Sequence, residues 1–165
     1  MKPQYNYSKM QLATLFLLRM LTGWHLLYEG IAKLLNPQWS SLSFLSQSNG
    51  ILEGFARWVT SNPGVLNTVD FLNTWGLIAI GLGLMLGLFA RTAAFFGAAL
   101  LFVYYLNSPP LAGAEYTLPV DGNYLIVDKT LIESVALCIL ALFPTSRIIG
   151  LDALIPKCKY LKSRK

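Results

Sequence analysis

Residues 18 to 35 read LRMLTGWHLLYEGIAKLL, an apolar run interrupted by four ionisable side chains, Arg19, His25, Glu29 and Lys33. On a helix advancing about 100° per residue, with Arg19 at zero, His25 falls near 240°, Glu29 near 280° and Lys33 near 320°. All four share roughly a third of the circumference. A central charge on a lipid-exposed helix costs about 2.5–3.5 kcal/mol. The arc must therefore face a bundle interior or a wet cavity, and the chain needs further helices to build one.

The composition supplies them. The 165 residues are 55% hydrophobic and 13% charged, with mean hydropathy +0.52, whereas soluble domains are about one quarter charged. At about 20 apolar residues per crossing this predicts one all-α integral membrane domain, a four-transmembrane-helix bundle with no appended soluble domain. The spans fall at about 10–35, 65–89, 92–106 and 129–143. The last two are short, so their ends must recruit neighbours. Prolines at 37, 109 to 110 and 144 stop the first, third and fourth spans. Lys2 and Lys9 before the first run raise the case for a cleavable signal. No small-x-small site follows promptly, however, and Trp24, His25 and Glu29 suit a retained helix better.

Charge sets the expected orientation. The basic tail at 144–165 holds Arg147, Lys157, Lys159, Lys162, Arg164 and Lys165, and Arg91 sits in the tight second connection. The connection at 107–128 holds Glu115, Asp121 and Asp128 and no Lys or Arg. The positive-inside rule then puts both termini in the cytoplasm. Topology also accounts for the net charge of +5 without nucleic acid. In the first external connection, Ile51, Leu52, Phe55, Trp58 and Val59 form one apolar helical face between Asn49 as N-cap and the stop at Asn62-Pro63. That predicts an amphipathic interfacial helix, serving as a bundle cap or a substrate lid. Gly76, Gly81, Gly83 and Gly87, and Ala94, Gly97 and Ala98, allow close helix packing, within the bundle or in a homodimer.

His25, Glu29 and Lys33 stand at successive i+4 positions, so Glu29 can pair with Lys33 or accept from His25. Glu133 opens the fourth span, and Asp70, Asn73 and Thr74 open the second, at the same expected level. The simplest geometry joins these groups in one polar chamber open to the periplasmic side. His25, Glu29 and Glu133 suit proton exchange with a quinone or a sulfur species. Arg19 fits either a register-fixing ion pair or function. Trp24, Tyr28, Trp75, Tyr104 and Tyr105 are packing or belt residues or flank a flat ring, with Tyr28 the most pointed candidate. With one histidine and no CxxC pair, no metal, haem or nucleotide site can be drawn. Cys138 reads as a core residue and Cys158 as a tail residue.

LRMLTGWHLLYEGIAKLL with NPQWSS, then WGLIAIGLGLMLGLFARTAAFFGAALL, YYLNSPP, LIESVAL and TSRIIGLD, together resemble the DoxX/DoxD family of four-helix bacterial inner-membrane proteins. DoxD is the membrane subunit of a thiosulfate:quinone oxidoreductase. Arg19, Gly23, Gly30, Lys33, Gly87, Arg91, Glu133, Arg147 and Asp152 match the family pattern. Position 29, commonly His in the general DoxX pattern, is Glu here, which favours the DoxD-like branch. The resemblance implies a redox component coupling a small sulfur donor to quinone, with Glu29, His25 and Glu133 catalytic. Arg19, Lys33, Tyr28, Trp24, Asp70 and Asn73 would surround substrate or quinone. Expected partners are the bilayer, a second redox subunit or periplasmic protein, and a second copy of the chain. The alternative is a non-enzymatic assembly partner or small-molecule carrier whose buried charges are structural.

Overall fold

A computed structural model describes residues 7–48, 51–109 and 126–153. Six α-helices lie within them: α1 (Lys9–Leu35), α2 (Leu42–Ser46), α3 (Glu53–Thr60), α4 (Pro63–Leu86), α5 (Ala90–Asn107) and α6 (Lys129–Leu142). No strand is assigned among the described residues. The expected N-cap Asn49, the acidic residues Glu115 and Asp121, Lys2, Cys158 and the basic tail from 154 onward lie outside them.

Local chemistry sets each helix end. Ser8 and Gln11 form a reciprocal capping box at the start of α1, satisfying two otherwise orphaned donors. Asn36-Pro37 ends it. Pro63 is the first residue of α4 rather than only a stop for α3, because its fixed φ suits a first helical turn. Gly87 closes α4 at φ 65°, where its N–H reaches the Leu84 carbonyl and the Leu88 N–H reaches the Gly83 carbonyl. This Schellman pattern requires the left-handed backbone glycine adopts cheaply. Asp128 caps α6 through the Leu131 N–H at 2.8 Å.

The α1 and α4 backbones run antiparallel in close contact. A Cβ added at Gly81 would lie 2.5 Å from the Leu27 nitrogen, and one at Gly30 would lie 2.7 Å from Ile78 Cγ1. Gly23 meets Leu84 and Met85 in the same way. The Ala94 and Ala98 face of α5 is buried, and Gly97 faces Ile80, Leu137 and Leu26. Gly81 and Gly83 of α4 and the Ala94, Gly97 and Ala98 face of α5 are thus used inside the bundle, whereas Gly76 is not. Leu26, Leu77, Ile80, Leu84, Leu101, Leu137 and Leu140 complete the core.

The outer faces are apolar as well. Leu17 and Leu21 on α1, Phe71 and Leu72 on α4, Phe95 and Phe96 on α5, and Ile132 and Leu142 on α6 are all exposed. A soluble monomer rarely shows so continuous an apolar surface. By length and composition, Pro63–Leu86 is the one described helix able to cross a membrane. α1 is longer but interrupted by charge, and the 14 residues of α6 extend only about 21 Å. Cys138, expected in the core, is exposed, since α6 turns Ser134, Leu137 and Leu140 inward instead.

The first connection is more structured than expected, with α2 preceding α3. The predicted apolar face of α3 divides lengthwise. Ala56 and Val59 are buried, while Ile51, Phe55 and Trp58 point outward. One edge seals against the bundle and leaves an aromatic ridge outside, the geometry of a helix lying at an interface.

Gly81→Ala should lower stability by about 1–3 kcal/mol, because backbone rather than a flexible side chain must give way. Gly76→Ala, with nothing within 4 Å of the added Cβ, should lose none. Thermal unfolding of the purified variants in detergent compares them, and equal midpoints would contradict this account of the α1 and α4 contact.

Candidate functional site

α1 faces α6 at His25 and faces α4 and α5 at Lys33. His25 Nδ1 and Glu133 Oε1 are 2.8 Å apart, so the Nδ1–H tautomer donates to the carboxylate and leaves Nε2 as an acceptor. The pair joins the middle of α1 to the second turn of α6. Glu133 is mostly buried, whereas the histidine ring is about half exposed at 46%. Glu29 turns to Lys33, at 3.8 Å, and not to His25. These groups line a cavity of about 180 Å³ with Leu26, Leu77, Leu101, Tyr104, Lys129 and Thr130.

A second cavity, of about 590 Å³, lies beyond Lys33 toward the end of the bundle covered by residues 36 to 44. Its floor is Lys33, Asn73 and Tyr104, and its roof includes Trp39 and Phe44. The Tyr104 hydroxyl donates to Asn73 Oδ1 at 2.7 Å, and Lys33 Nζ approaches the same oxygen at 3.4 Å. The Lys33 ammonium also sits 5.1 Å from the Trp39 ring centroid and 5.6 Å from that of Tyr104, within cation–π range. Lys33 and Tyr104 line both cavities and form the wall between them.

The predicted site residues therefore separate into groups. His25, Glu29, Lys33 and Glu133 come together, and Asn73 joins through Lys33. Arg19 lies about 9 Å from His25 along the helix axis and turns away. Its guanidinium donates to Thr145 Oγ1 at 3.1 Å and to the Ile149 carbonyl at 2.7 Å. Nearby, Asp152 accepts from the Phe89 and Ala90 N–H groups at 2.7 and 3.3 Å, capping α5 from outside its own helix. Gly87 and Gly150 allow the two backbones to touch there. Asp70 accepts from Ser40 Oγ at 2.8 Å, from the Ser41 N–H at 2.9 Å and from the Ser41 hydroxyl. It anchors the roof of the larger cavity and lines neither space. Trp24 and Tyr28 are exposed on the outside of α1 with ring centroids 6.4 Å apart, away from both cavities.

Trp39, Phe44 and the Ser40-Ser41 pair were not singled out from sequence. Trp39, Ser40 and Ser41 entered only as part of the NPQWSS stretch that carries the family resemblance, and Phe44 had no signal beyond its position after the Asn36-Pro37 stop. Chemically, the smaller cavity offers a histidine–carboxylate pair able to hold and pass a proton. The larger offers a cation between aromatic faces. Among the described residues, no group of three or more His, Cys, Asp or Glu side chains is placed to hold a metal ion.

Removing the Asp70 carboxylate leaves two hydroxyls and one N–H of the roof without their acceptor, each bond to a charged group being worth about 1.5–3 kcal/mol. Asp70→Ala should speed hydrogen exchange at Ser41 and its neighbours by at least about tenfold, with the core of α4 unchanged. Unaltered protection at Ser41 would show that the anchor contributes nothing.

Compared with known proteins, no curated protein and no solved structure matches the chain. The DoxX family model matches residues 14–107, from the first turns of α1 to the end of α5. That span includes Arg19, His25, Glu29, Lys33, Asp70, Asn73 and the three glycine contacts between α1 and α4 at Gly23, Gly30 and Gly81. It covers more than half of the 165 residues, and the chain belongs to the DoxX family.

Proposed function

We propose that this chain is a four-span, DoxD-like protein of the bacterial inner membrane, with both termini cytoplasmic, serving a redox system that delivers electrons from a small sulfur donor to quinone. The apolar outer faces of α1, α4, α5 and α6 support the membrane placement. In that placement α3 lies at the outer interface with Phe55 and Trp58 at headgroup level.

The observation that carries the redox reading is the His25–Glu133 pair, half open between α1 and α6 and flanked by Glu29. The pair is open at the side of the bundle, the side on which a lipid-soluble ring would approach. A quinone needs a donor at its carbonyl oxygen and a route for protons, and a histidine hydrogen-bonded to a mostly buried carboxylate fits both. When bound, quinone supplies the capacity to take up two electrons and two protons. His25 holds one proton at Nδ1 against Glu133, and Glu29 orients Lys33. Electrons come from the donor or from a partner subunit.

The second reading, an assembly partner or small-molecule carrier, is favoured by Arg19 and Asp70. Both are held in internal anchors, so two of the six Arg, His, Lys, Asp and Glu side chains expected at the site already have architectural uses. Lipid extraction from the purified protein separates the readings. A tightly held quinone favours the first, while a co-purifying partner without quinone favours the second.

Glu133→Gln keeps the size and a hydrogen-bonding group but removes the charge. It should reduce donor-dependent quinone reduction about 10²- to 10⁴-fold, as should Glu29→Gln, with both proteins still folded in the membrane. Full activity in both variants would sink the redox reading.

A further inference from the structure

The larger cavity is not needed for proton exchange at His25, and its chemistry differs. We propose that it is a binding site for an organic monocarboxylate with a flat apolar body, an aromatic acid, whose carboxylate is held by Lys33. The proposal stands apart from the quinone reading and survives its failure.

The first argument is the state of Lys33. An ammonium has three N–H donors, and a charge-assisted hydrogen bond normally spans about 2.7–2.9 Å. Lys33 has one acceptor at 3.4 Å, shared with the Tyr104 hydroxyl, and one carboxylate at 3.8 Å. Its side chain is only 15% exposed. The remaining contacts are two aromatic faces, which attract the charge but accept no conventional hydrogen bond. A buried cation so under-supplied with acceptors has room for one more, and its cavity is where an acceptor can enter. Glu29 neutralises the charge from the side of the smaller cavity without filling the donors.

The second argument is shape and lining. A cavity of about 590 Å³ lies in the range of sites for ligands of drug size, about 300–1,000 Å³. Sulfate or a similar small oxyanion would leave most of the apolar wall without contacts. Trp39, Leu42 and Phe44 supply that wall, with Gln38, Asn36 and Ser43 as polar groups around it. Phe44 and Tyr104 already meet edge to face at 5.7 Å, an arrangement that presents ring faces to a planar guest. The roof is fixed at Asp70 on α4 and at Asn107 on α5, where Ser48 Oγ donates to the Asn107 carbonyl at 3.0 Å. The walls are thus held in place by bonds independent of any ligand.

The test is calorimetric titration of 2-naphthoate into the full chain in lipid nanodiscs, with 2-naphthamide and sodium sulfate as comparison probes. Naphthoate should bind wild type about tenfold or more tightly than it binds Lys33→Met, the value of a lost charge-assisted hydrogen bond. Lys33→Arg should recover most of that loss. Naphthamide, with the same body and no charge, should bind wild type at least about tenfold more weakly. Equal binding of acid and amide, unchanged affinity in Lys33→Met, no binding of naphthoate, or sulfate binding as tightly as naphthoate would each overturn the proposal. Should Lys33→Met fail to fold, Phe44→Ala replaces it. Weaker naphthoate binding by that variant supports the apolar wall, and unchanged binding refutes it.

Discussion

The contact between α1 and α4 at Gly81, Gly30 and Gly23 is the constraint from which the rest of the arrangement follows. Helices that meet through glycine backbones cannot slide or rotate without collision, so one contact fixes the register along both. In that register Gly23 faces Leu84, Leu27 faces Gly81 and Gly30 faces Ile78. Continuing one way brings Lys33 to Asn73, and continuing the other brings Arg19 to Gly87. Both polar regions are therefore consequences of an apolar seam. The seam also turns the charged arc of α1 along the side of α4, where α5 and α6 can reach it.

The two cations on that arc meet opposite fates. Arg19 is spread over a hydroxyl, a carbonyl and the Phe16 ring, and its two hydrogen-bond acceptors belong to the segment that follows α6. Its planar fork suits several fixed acceptors at once. It ties the end of the described chain to the α4–α5 turn, where Asp152 completes the joint by capping α5. Lys33 is a compact charge on a flexible stem, and the fold gives it faces of aromatic rings instead of close acceptors. Arg19, whose two terminal nitrogens are bonded to fixed acceptors while its buried Nε has none, has an architectural role. A charge left short of partners beside a cavity is prepared for something that is not part of the chain.

Much of the helical skeleton could be read in advance because membrane-type helices announce themselves by length, apolarity and proline stops. α1 begins one residue before its expected start, and α6 begins at the expected Lys129. α5 runs to 18 residues because Asp152, 62 positions later, supplies its N-terminal cap, a long-range bond no local pattern reveals. The periodicity of α1 correctly grouped His25, Glu29 and Lys33 on one side. Spacing alone also sets Arg19 about 9 Å from His25 along the axis, but it could not tell that Thr145 and Ile149 would be the partners that meet it there. Nor could it show that Asp70 would be spent on Ser40 and Ser41. Angular position on a helix is legible from spacing, but which neighbouring element arrives at each level is decided by packing. The aromatic cage around Lys33 escaped for the same reason, since Trp39 and Tyr104 are far apart in sequence and meet only through the roof.

The two cavities also differ in their approaches. His25 and Glu29 are about half exposed in the gap between α1 and α6, so the smaller space is reached from the side of the bundle. The larger space lies under residues 36 to 44 at the bundle end, and is reached past Asn36, Gln38 and Ser43. Lys33 and Tyr104 stand between them, both held by one oxygen of Asn73. Because that amide oxygen accepts from both, any ligand that draws the ammonium toward the roof weakens the Lys33 contact to Asn73 and stretches the already long pair to Glu29. Lys33 and Tyr104 thus belong to both linings at once, in the register that the glycine seam between α1 and α4 sets.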